Sequence, residues 1–96
     1  MDYQIRITEE AIAEFEAIVE YSWLEFPATS ERFAQEILDH LELLRRFPRM
    51  GLPVAGLPGC RKLSHSPIWI YYRVHERHRQ IEILHFWHGS RREPLI

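Results

Sequence analysis

The chain has 96 residues, 46% of them hydrophobic and 12% aromatic, which supplies apolar side chain for one core and leaves no room for a second domain, so residues 1–96 read as a single domain. No apolar run approaches the roughly 18 to 20 residues of a membrane span, and Met1-Asp2-Tyr3 lacks the basic start of a signal peptide; a cytoplasmic chain with no membrane partner is expected. The single Cys60 excludes an internal disulfide and a thiolate zinc cage, and the net charge of −2 argues against a general nucleic-acid coat.

In chain order, Tyr3, Ile5 and Ile7 alternate with Asp2, Gln4 and Arg6, the period of a strand with one buried face. Thr8 is an N-cap candidate, and Glu9 and Glu10 follow where the positive end of a helix favours carboxylates. Ile12, Phe15, Ile18, Val19 and Trp23 recur at helical spacing until Phe26-Pro27 stops the run, which makes Trp23 part of the packed stripe. A second N-cap candidate, Thr29 or Ser30, opens another helix whose stripe is Phe33, Ile37, Leu41 and Leu44, widened by Ala34, Leu38 and Phe47 and ended by Pro48. The stripe is too short for a zipper and reads as core. A connection of a few residues makes the pair an antiparallel hairpin that needs a surface to lie on.

PRMGLPVAGLPG, residues 48–59, holds three of the four glycines and three of the six prolines and is predicted as a loop. Three strands follow: Cys60 to Ser64, Ile68 to His75, and Gln80 to His88, with a polar turn at Glu76 to Arg79. Alternation puts Ile68, Ile70, Tyr72 and Val74 on the helix side, and Trp69, Tyr71, Arg73 and His75 on an open face. In the last strand it groups Ile83, His85 and Trp87 against Leu84, Phe86 and His88. The predicted class is α+β, β-α-α-β-β-β, with the helical hairpin on one face of a small, mostly antiparallel sheet.

Charge is divided along the chain. Residues 1–48 carry 11 acidic and 4 basic side chains, a net of −7, whereas residues 49–96 carry 3 acidic and 8 basic, a net of +5, with five of the six histidines. Two faces or two partners would explain this, and a solvated helix surface explains the acidic half equally well.

His85 and His88 do not chelate one ion, because residues three apart on a strand point to opposite faces; His65, His75 and Glu82 add no ligand spacing, and no metal or cofactor is expected. Arg61, Lys62, Arg73, His88, Arg91 and Arg92 have the chemistry of a metal-free nuclease, cations for a developing phosphate charge and a titratable base, if they converge on the open face. Singly, each reads as a solvated charge. Trp69, Tyr71 and Trp87 are able to stack on bases or on a partner, or to serve as packing.

FPRMG at 47–51, CRKL at 60–63, IYYRV at 70–74 and IEILHFWHGSR at 81–91, in this order, resemble the RelE/ParE toxin superfamily of bacterial type II toxin–antitoxin systems, and its ParE branch in particular. The resemblance covers nearly the whole chain. It implies a cognate antitoxin, ParD-like or other, and DNA gyrase as the target, with no catalysis and no sequence-specific nucleic-acid binding by the toxin alone. The RelE branch, the alternative, cuts messenger RNA on the ribosome. In that branch an arginine precedes the strand tyrosine by three residues, where this chain has Trp69. A C-terminal tyrosine is also missing, since the tail reads Glu93-Pro94-Leu95-Ile96, and Arg92 stands where ParE-like chains often have aspartate. If the chain cuts RNA, Arg61, Lys62, His88 and Arg91 are the residues to do it. As a docking protein its contacts are expected at Arg61, Lys62, Trp69, Tyr71, Arg73, Trp87, His88, Arg91 and Arg92. The antitoxin segment is expected to be acidic and disordered when free.

Overall fold

The computed structural model describes every residue except Met1 and Leu95. Residues Gln4–Ile7 form β1. Thr8 then turns the chain into α1, Glu9–Glu25, by accepting a hydrogen bond from the Ala11 amide at 3.1 Å. The face that α1 buries is displaced from the apolar stripe. Ala11 and Ser22 are buried and Phe15 and Ile18 are partly so, whereas Ile12 is exposed and Trp23 is 60% exposed. Trp23 is therefore not the core residue its spacing suggests. The displacement lets Glu14 reach the sheet.

α2 spans Pro27–Arg46 and begins earlier than Thr29 or Ser30. Proline fits the first helical position because its fixed φ is already helical and no amide is needed there. Phe26 alone joins the helices, and Ser30 is buried inside α2 rather than capping it. Ile37, Leu41 and Leu44 are buried as their spacing predicts, while Leu38 and Phe47 are exposed.

Residues 48–59 are mostly loop, but Leu52–Pro53 pair with Arg61 and Lys62 as a two-residue strand, β2. Cys60–His65 form β3, Ile68–His75 form β4 and Gln80–His88 form β5. The sheet order is β1-β5-β4-β3-β2, with β1 parallel to β5 and the other pairs antiparallel. The hairpin covers one face, and Ile37, Leu41 and Leu44 meet Ile70, Tyr72, Ile81, Ile83 and Phe86 in the core. No helix among the described residues is long and apolar enough to cross a membrane.

A bulge changes which β5 side chains share a face. Tyr71 pairs with His85 and Tyr72 with Ile83, so Leu84 is an extra residue. Ile83 consequently joins Phe86 and His88 on the helix side, and Glu82 joins His85 and Trp87 on the other. Simple alternation had put Ile83 with His85.

Candidate functional site: a sheet face covered by the tail

The register of β3, β4 and β5 brings Lys62, Trp69, Tyr71, Arg73, His85 and Trp87 to the face away from the core. Trp69 and Trp87 are directly paired, as are Tyr71 and His85. His75 and Arg6 both bond to Glu82 farther along, the histidine at 3.1 Å.

This face is not open. Gly89 leaves β5 with its amide donating to Pro67 O at 2.8 Å, and a Cβ there would lie 3.1 Å from Trp69 Nε1, so only glycine passes without displacing the indole. Residues 90–94 then fold back. The Arg91 guanidinium lies 4.2 Å from the centre of the Trp87 ring, and Trp87 Nε1 donates to the Arg92 carbonyl. Glu93 pairs with Lys62 at 3.1 Å, and the same ammonium sits 5.0 Å from the centre of Trp69. Beneath this strap Tyr71 is 2% exposed. Burial raises its phenol above the ordinary value, Glu93 adds to the rise and Lys62 opposes it.

The predicted residues thus separate into two groups. Lys62, Trp69, Tyr71, Arg73, Trp87 and Arg91 share the strapped face. Arg92 lines a crevice at its edge with His85, Trp87, Arg91, Glu93 and Pro94. Arg61 points to the other face and donates to Gly51 O at 2.7 Å and Arg49 O at 3.2 Å, pinning the loop before β2. His88 is also on the helix side, where its Nδ1 accepts from the Ser90 amide at 3.2 Å and lies 2.7 Å from the Ser90 hydroxyl. Arg61 and His88 are therefore parted from Lys62 by the sheet, while Arg91 reaches both the Trp87 ring and the groove that His88 lines.

On the helix side an open groove of about 780 Å³ runs between the hairpin and the sheet end, lined by Ile18, Tyr21, Phe26, Phe33, Ile68 and Phe86 and reached by His88 and Arg91. Tyr21 and Phe26 are exposed there.

One cluster has no counterpart among the sequence expectations. His85, 5% exposed, places Nδ1 3.1 Å from both carboxylate oxygens of Glu14 and 3.9 Å from Glu10 Oε1. The imidazole lies between Tyr71 and Trp87, with ring centres 6.5 and 5.5 Å away. The signal in the sequence was the pair of glutamates one helical turn apart, Glu10 and Glu14, but spacing cannot name a partner 71 residues away.

Residues 5–93 match the family model of the ParE toxin of the type II toxin–antitoxin system parDE. The fold resembles a chromosomal ParDE toxin–antitoxin system from P. aeruginosa, with a TM-score of 0.74 and 22% identity over 90% of this chain and 95% of that one. It also resembles the toxin–antitoxin complex RelBE2 from Mycobacterium tuberculosis, with a TM-score of 0.70 and 22% identity over 92% and 99%. The isolated E. coli RelE toxin gives 0.69 and 18% over 95% and 88%. At these identities the structural matches show the fold alone. No curated protein sequence matches.

Proposed function

The chain belongs to the ParE toxin family of type II toxin–antitoxin systems, and from that premise we propose that it is a ParE-like inhibitor of DNA gyrase, held inactive by a cognate antitoxin. The division of the candidate catalytic residues carries the choice of inhibition over RNA cleavage. General acid–base chemistry on a phosphodiester needs its base and its cations within reach of one scissile phosphate. His88 and Arg61 lie on the opposite face from Lys62, Arg61 is committed to two backbone carbonyls, and Lys62 is paired with Glu93. Trp69, under Lys62, offers an aromatic surface for docking and no charge.

The antitoxin reading draws support from the similar structures, which are those of a toxin–antitoxin system and a toxin–antitoxin complex. An acidic segment fits the face bearing Lys62, Arg73, Arg91 and Arg92, and its folding on that face would replace the contacts of the tail. Trp69 and Trp87 are the aromatic anchors such a segment would bury.

The test is a gyrase supercoiling reaction with and without the purified toxin. Inhibition or trapped cleaved DNA at micromolar toxin, relieved by the antitoxin encoded beside it, is expected. A folded sample with no effect on gyrase removes the target. Cleavage of message on programmed ribosomes that disappears in Arg91→Ala would transfer the assignment to a ribonuclease.

A further inference from the structure

We propose that Glu10, Glu14 and His85 form a binding site for a divalent first-row transition-metal ion of the Zn²⁺ class. Their ligand atoms, one from each side chain, all lie within 4.8 Å of one another. Metal–ligand bonds of about 2.1 Å put neighbouring donors of a tetrahedral or octahedral ion about 3.0 to 3.4 Å apart. His85 Nδ1 is 3.1 Å from Glu14 and 3.9 Å from Glu10, so a small rotation of the exposed Glu10 side chain closes the set.

The site is built rather than assembled from loose surface groups. β1 ends at Ile7, whose partner is Ile83, and beyond that register this edge of β5 has no strand partner among the described residues. Glu14 fills it: Oε1 accepts the Phe86 amide at 3.2 Å, which fixes the carboxylate while a lone pair remains for an ion. Tyr71 and Trp87 both pack edge-to-face against the imidazole. A buried histidine needs one acceptor, and Glu14 supplies it; Glu10, one turn earlier, brings a second carboxylate toward a nitrogen already served. A bound cation gives that surplus charge a role. Two carboxylates neutralise a dication, and the imidazole favours a transition metal over Mg²⁺, which prefers oxygen and water. Binding requires Nδ1 without its proton, leaving the ring hydrogen on Nε2. Glu10 and His85 also line the crevice beside Arg91, Arg92 and Glu93, so coordination positions remain open toward the tail.

Calorimetric titration of the full chain with Zn²⁺, and Co²⁺ titration followed by visible absorption, test the site. One ion per chain is expected at micromolar affinity, with Mg²⁺ failing to compete. Glu10→Gln, an exposed change that leaves the His85–Glu14 bond in place, should weaken Zn²⁺ at least tenfold in a metal-free protein whose circular dichroism shows it folded. Glu14→Gln should abolish the Co²⁺ spectrum. Absence of saturable one-to-one binding overturns the proposal, as does an affinity that ignores Glu10→Gln. An affinity lost in His40→Asn instead also overturns it, because His40 and His65, with Nδ1 atoms 3.0 Å apart, are another pair of converging imidazoles.

Discussion

The phenol of Tyr72 accepts the buried amide of Gly51 at 3.0 Å and donates to the carbonyl of Pro48 at 2.8 Å. One hydroxyl thereby clamps the loop that leaves α2 to the middle of the sheet. Tyr72→Phe leaves a buried donor without its partner and should cost about 1–3 kcal/mol of stability. Gly51→Ala should cost more, because a Cβ would sit 2.7 Å from that hydroxyl and 2.9 Å from Lys62 O. Urea denaturation midpoints measure both. A change under about 0.5 kcal/mol in Tyr72→Phe would mean the clamp contributes nothing.

His40 of α2 meets His65 of β3, and burial first, then His65, holds the His40 imidazole below its ordinary value of 6.5. A folded-state value below the unfolded one means that the unfolded chain takes up the proton first as pH drops. Stability from this pair is therefore full above about pH 6.5 and lost as pH falls through the lowered value. Urea midpoints between about pH 5 and 8 should decline on the acid side, and His40→Gln should flatten that decline. Parallel curves for the two proteins would assign the acid sensitivity elsewhere.

Arg73→Glu reverses a charge on the same sheet face as Tyr71, opposite Glu82. We expect it to weaken the antitoxin complex by roughly tenfold or more, with the larger part at low salt. Surface plasmon resonance against the purified antitoxin reads this directly. Should affinity be unchanged while Tyr21→Ala lowers it, the antitoxin lies in the groove between the hairpin and the sheet end.

Glu93→Gln removes a carboxylate near the Tyr71 phenol and frees Lys62. The Tyr71 ionisation should move down toward 10.0, and only partly, because burial is the larger cause of its elevation. Ultraviolet titration, with Tyr71→Phe as the reference that isolates this tyrosine, gives the shift. An unmoved or higher value would show that the tail does not lie over Tyr71 in solution.

Periodicity located the elements well because the core residues carry it themselves: Ile37, Leu41 and Leu44 on α2, Ile70 and Tyr72 on β4. It failed where a local device breaks the period. The extra Leu84 shifts the facing of β5 by one residue, and nothing in a run of strand-forming residues announces a bulge. Pro27 looked like a stop and is also a start, since a proline ends one helix by the same geometry that begins the next. Trp23 obeyed the helical spacing and still faces outward, because α1 is rolled to bring Glu14 onto the sheet edge. The cationic residues were recognisable as a group, but Arg61 and Lys62, being neighbours on a strand, had to take opposite faces. The return of the tail was not legible, because the contacts that hold it are spread over Lys62, Trp69 and Trp87.

β1 is the first strand made and the last to find its place. Its strand partner among the described residues is β5, so residues 4–7 must wait for residues 79–83 before their amides are bonded. While synthesis proceeds at roughly 5–20 residues per second, the nascent chain has helices with no completed sheet beneath them. Closure of this pair over a separation of some 76 residues carries a high loop entropy and is a slow, late event. The face bearing Tyr71, Trp87 and the tail depends on β5 being in register, so a ribosome-bound fragment lacks it. A chain interrupted before the last strand is accordingly expected to lack the proposed docking face, which forms only once β5 has paired with β4.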